Sequence, residues 1–133
     1  MAAGLLKDAA QKASLDLGVQ SAGIAAFPGV PYSRETVQIL REKGIDISGG
    51  FSQPLSKSLA MESDLLLTMT SDHRDAILRK LPMLEGKVFL LSDYVGDGVV
   101  SVPDPIGQSL DVYRDVRRQL EIYIQKTVEK LKN

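Results

Sequence analysis

The 133 residues suit one domain with a real hydrophobic core. The 16 basic and 17 acidic side chains nearly cancel, so charge argues against a nucleic-acid or anionic-membrane partner, and no apolar run approaches membrane-spanning length. With no cysteine and one histidine, His73, these residues hold no disulfide, thiolate metal site, cysteine nucleophile or histidine cluster. The N-terminus lacks a basic-then-apolar leader pattern, and a soluble cytoplasmic protein without metal or cofactor is expected.

Residues 2–15 are rich in Ala, Leu and Lys, with Leu5, Leu6, Ala9, Ala10 and Ala13 on one face, which predicts a helix. GVQSAGI, residues 18–24, is a short strand candidate, and Phe27-Pro28-Gly29-Val30-Pro31 is turn chemistry. Ser33 is placed to cap a helix through Val37 and Leu40 that Gly44 closes. Residues 45–58 are irregular, with a short helical turn expected at 59–61. DLLLTM, residues 64–69, is nearly continuous in apolar residues, as in a strand buried on both faces. Ser71-Asp72 opens a helix stopped by Pro82, and KVFLL, residues 87–91, is a further buried strand. Tyr94–Asp97 reads as a turn and Val99–Val102 as a β-prone run. Helices alternating with buried strands predict an α/β domain with a parallel sheet covered on both faces.

The chain is organised around Val102-Pro103-Asp104-Pro105-Ile106-Gly107-Gln108 and the helix after it, whose apolar positions Leu110, Tyr113, Val116, Leu120, Ile124, Val128 and Leu131 recur at three-and-four spacing. An Asp between two prolines sits on stiff, extended backbone. Such a carboxylate, partly desolvated, can act as a general acid; it can equally do no more than shape a turn. His73, beside Asp72 and Asp75, reads as solvated surface. Arg117-Arg118 reads as a solvated helix face, with Arg118 spaced to meet Asp115 and Arg117 to meet Glu121.

Five stretches in order resemble the low-molecular-weight protein phosphatase family: MAAGLL at the start, QSAG at 20–23, ETVQILREKGIDIS at 35–48, SDLLLTMTSDH at 63–73 and VPDPIGQSLDVYRDVRRQLE at 102–121. DPIGQ and SQPLSKSLAMESDLLLTMT look more like the bacterial branch that includes arginine phosphatases than like the phosphotyrosine branch. The resemblance implies a three-layer, flavodoxin-like parallel sheet and hydrolysis of phosphotyrosine or phosphoarginine on proteins through a phosphocysteine intermediate. By motif, Asp104 is the general acid; Ser21 matches a serine that supports the phosphate loop, Phe27 lies in the variable loop that walls the cleft, and Ile106 stands where a cleft-lining aromatic often sits.

The family's first strand and its C-x5-R-S loop have no counterpart in these residues. Residues 1–133 are therefore expected to be a single truncated phosphatase-like domain, a non-catalytic derivative or fragment that is inactive alone. The alternatives are an incomplete phosphatase completed by another chain and a phosphate- or nucleotide-binding α/β module. Loss of the central strand would leave two inner sheet edges open, which predicts a rearranged sheet and a homodimer or larger assembly through those edges.

Overall fold

The computed structural model describes residues 1–24 and 29–133. Its elements are α1 (Ala2–Lys12), α2 (Arg34–Arg41), α3 (Lys57–Glu62), β1 (Leu66–Thr68), α4 (Ser71–Lys80), a 3-10 turn (Pro82–Leu84), β2 (Val88–Leu90), α5 (Leu91–Tyr94) and α6 (Leu110–Lys132). Each of four helices starts at a side-chain oxygen that accepts a first-turn amide: Ser33 for α2, Ser56 for α3, Thr70 for α4 and Ser109 for α6. At α4 the cap falls on Thr70, one residue before the expected Ser71, because Thr70 Oγ1 is the oxygen that accepts from His73 N–H.

Strands β1 and β2 pair in parallel, with Leu66 opposite Val88 and Thr68 opposite Leu90. Alternation along β1 sends neighbouring side chains to opposite faces. Leu66 and Val88 pack with Ala60, Ile77 and Leu84 from α3, α4 and the 3-10 turn. Leu67 packs on the other side, against a larger cluster that joins Leu5, Leu40, Val116, Leu120 and Ile124 of α1, α2 and α6. The result is an α/β fold with helices on both faces of a parallel sheet, as expected. The sheet is small, with two strands among the described residues.

Two strand expectations are corrected. Residues 18–22 form no strand; Gly23 makes one parallel bridge, to Pro54. Leu15, Leu17 and Val19 are half-buried and alternate with exposed Asp16, Gly18 and Gln20, the pattern of an extended segment. Alternation alone does not make a strand, because strand backbone needs a ladder partner for its N–H and C=O groups. The Val99–Val102 run is not a strand either: Val99 and Val100 are exposed, and only Val102 is buried, its N–H donating to Met69 C=O at 2.7 Å. Residues 91–94, from the last residue of the expected strand to the first of the expected turn, form a single helical turn.

Helix α6 is fastened to α2 by charge. Arg117, expected on a solvated face, is 5% exposed. Its Nη1 donates to Ile39 C=O at 3.0 Å and to Glu42 Oε1 at 2.8 Å, while its Nε lies 3.0 Å from Glu121 Oε1. Arg114 grips the same Glu42 from the exposed side, at 2.8 Å. Hydrogen bonds from Arg114 and then Arg117 hold the Glu42 carboxyl at about 2, below its ordinary value of 4.5. A carboxyl depressed in the folded state stabilises the fold above its unfolded value, and that contribution fades as pH falls. Stability is therefore expected to drop between about pH 4.5 and about pH 2. Glu42→Gln should be less stable at pH 7 and should flatten that part of the curve, measured by denaturant unfolding across the acid range.

Candidate functional site

In open α/β sheets, ligands bind outside the carboxyl ends of the strands. Here those ends are Met69–Ser71 after β1 and Leu91–Ser92 after β2, and the Asp104 segment is tied to both. Val102 N–H donates to Met69 C=O at 2.7 Å, and Ser71 N–H, in the first turn of α4, donates to Ser101 Oγ at 3.1 Å. After β2, the buried hydroxyl of Ser92 accepts from Val100 N–H at 2.9 Å and donates to Val100 C=O at 2.8 Å. Buried Val102 and Pro105 then flank an exposed Asp104. Its Oδ1 accepts from Ile106 N–H at 3.0 Å, closing an Asx turn, and Gly107, at φ +80°, takes the chain round towards α6. Asp104 therefore shapes the turn and presents a carboxylate in one arrangement.

Helix α1 opens in the same place. No side chain caps its first turn, which contains no acidic residue of its own, so its amide-rich end is positive. Burial holds the α-amino group of Met1 below its ordinary value, and the Asp104 carboxylate, within electrostatic reach, acts in the opposite direction. A positive helix end binds phosphate, and a carboxylic acid beside it can protonate an oxygen or nitrogen leaving from that phosphate.

The expected site residues are not all brought together. Asp104 and Ile106 share one turn, and Ile106 is 69% exposed, free to line a cleft. Ser21 is exposed, and its carbonyl accepts from Gln53 Nε2 at 2.8 Å; no hydrogen bond joins it to Asp104 among the described residues. Phe27 lies outside the described residues. Among the described residues no group of three or more acidic or histidine side chains could hold a metal ion. His73 is exposed, as expected. Sequence reasoning missed Ser92 and Ser101, which anchor the Asp104 segment. Isolated serines carry no pattern, and only the packing of the loop onto the strand ends reveals them.

Strand ends, positive helix end and proline-flanked acid thus lie together at one end of an α/β domain. The chain matches the family described as low molecular weight phosphotyrosine protein phosphatase across residues 1–133. It is 35% identical to a protein-arginine-phosphatase of Bacillus subtilis, over 99% of this chain and 87% of that protein. It is 36% identical to a protein-arginine-phosphatase of Geobacillus stearothermophilus, over 98% and 86%. A crystal structure of a YwlE mutant from Bacillus subtilis superimposes with a TM-score of 0.95 at 34% identity, covering 99% of this chain and 88% of that one. The chain belongs to the low molecular weight protein phosphatase family.

These matches overturn the expectation of a non-catalytic derivative or fragment, together with its two alternatives. The family match runs along all of residues 1–133, and the chain spans 87% and 86% of the two arginine phosphatases. The correspondence thus runs over most of the length of both arginine phosphatases. The family's thiolate nucleophile has no counterpart among the 133 residues, which contain no cysteine.

Proposed function

We propose that this chain acts as a protein phosphatase that hydrolyses phosphoarginine on proteins, with phosphotyrosine the second substrate class. The observation behind this reading is the Asp104 turn: a carboxylate pinned to the ends of both strands, beside the positive end of α1. Water attacks phosphorus as the P–N or P–O bond breaks; Asp104 gives its proton to the leaving nitrogen or oxygen and its carboxylate takes one from the attacking water, so that the products are the free amine or alcohol and inorganic phosphate. Ile106 and Ser21 belong to the cleft in this reading. Phosphoarginine is favoured by the two arginine phosphatases at 35% and 36% identity, against 32% for a protein-tyrosine-phosphatase of Staphylococcus haemolyticus.

The test is to present the encoded polypeptide containing residues 1–133 with a phosphoarginine-bearing protein and with a phosphotyrosine peptide. Faster phosphate release from phosphoarginine is the expected result. Release from phosphotyrosine alone would move the chain to the other branch, and release from neither would overturn the reading.

The same proposal covers setting and assembly. A chain without cysteine accords with a reducing cytoplasm, where disulfides contribute nothing. On the side away from β2, β1 pairs with no strand among the described residues, which favours a second copy associating through that edge. Light scattering should then give twice the 14.5 kDa of one chain; a single-chain mass at high concentration would exclude the dimer.

A further inference from the structure

We propose that Ser92 is a positioning residue for Asp104, the clamp that fixes the stem from which the acid is presented; the proposal rests on the acid role assigned to Asp104. Ser92 follows β2 directly, on the first turn of α5, and is 0% exposed. Its hydroxyl uses both of its capacities on one residue, accepting the N–H of Val100 and donating to its C=O. A side chain that satisfies both backbone groups of a residue acts as a single rung of ladder, in a segment that forms no strand of its own. Val100 is 40% exposed, so its position is held by this clamp rather than by burial.

The clamp closes a loop, because Asp97 N–H also donates to Ser92 C=O at 2.9 Å. The loop is held from outside by Lys126 of α6, 2.6 Å from Asp97 Oδ2. Beyond Val100 the stem meets its other two anchors, Ser101 on Ser71 and Val102 on Met69. Of the three, the Ser101 contact is exposed and open to competition from water, and the Val102 contact is a single bond. Ser92 supplies two bonds from a buried atom, and Asp104 lies four residues past the clamped Val100. Proline at 103 and at 105 transmits that fixed origin to the carboxylate with little rotational slack.

Ser92→Ala removes one oxygen and leaves the packing of Leu90 and Leu91 intact. Amide hydrogen exchange on the 133-residue chain should show Val100 exchanging about tenfold faster, the size of one lost hydrogen bond. Ile106, whose amide reports the Asp104 turn, should follow it, while Val88 and Leu90 keep their protection. Faster exchange at Val100 with no change at Ile106 would overturn the proposal, since the clamp would then hold only its own loop. So would unchanged exchange at both.

The second readout is leaving-group dependence in the encoded phosphatase. Displacing an acid penalises poor leaving groups, so Ser92→Ala should slow phenyl phosphate about tenfold more than para-nitrophenyl phosphate, part of the 10²–10⁴-fold span of a general acid. An equal fall on both esters would mark Ser92 as merely structural and overturn the assignment. Absence of turnover in the parent would count against the phosphatase reading, and the exchange pattern would still decide the role of Ser92.

Discussion

Asp104→Asn is expected to lower turnover of phosphoarginine protein by the encoded polypeptide by about 10²–10⁴-fold, the range for removing a positioned general acid. Asparagine keeps the size of the side chain and an oxygen to accept from Ile106 N–H, so the turn between Pro103 and Pro105 survives. What is lost is the proton. An amide cannot donate to a departing nitrogen as a carboxylic acid does, nor afterwards draw a proton from water. In the proposed reading the phosphate binds at the helix end and not at Asp104, so KM should change little. A variant that retains parental kcat on phenyl phosphate would show that Asp104 only shapes the turn.

The second large effect concerns stability. Arg117→Ala should cost about 3 kcal/mol, at the lower end of the range for breaking a buried ion pair. The lower end applies because Glu42 keeps Arg114 and has a third of its side chain in solvent. Ile39 C=O loses its donor, and Glu121 loses the guanidinium 3.0 Å away. For a chain of this size the melting temperature should fall by about 10 °C. Arg118→Ala is the internal control: its pair with Asp115 is 63% and 73% exposed, and removing it should change stability by no more than about 0.5 kcal/mol. Arg117→Lys should not restore the parent, because an ammonium lacks the fork that reaches carbonyl and carboxylates together. Equal melting temperatures for Arg117→Ala and Arg118→Ala would refute the clamp between α2 and α6.

Much of the architecture was legible in the residues themselves. The apolar spacing from Leu110 to Leu131 determined α6, and Tyr113, Val116, Leu120, Ile124 and Val128 are all buried on its inner face. Serine at 33 and glycine at 44 bounded α2 correctly, since capping and positive φ are local properties that a few neighbouring atoms decide. The unbroken apolar runs around residues 66–68 and 88–90 announced strands covered on both faces. Proline on either side of Asp104 announced a held carboxylate.

Other features depended on partners distant in sequence. Residues 18–22 have strand composition, yet whether they become a strand depends on what lies beside them, and a β-ladder is a tertiary object. Arg117 and Arg118 are adjacent and chemically identical, and both sit at salt-bridge spacing. Only the seating of α6 on α2 buries one beneath Ile39 C=O and leaves the other in water. Ser92 is one serine among many until the loop from 93 to 99 returns Val100 to its hydroxyl. Periodicity and capping concern neighbours within a helical turn or two, so the sequence by itself determined the longer helices and both strands. Burial of an ion and closure of a hydrogen-bonded clamp require groups brought together across the chain, and those the tertiary structure alone decided.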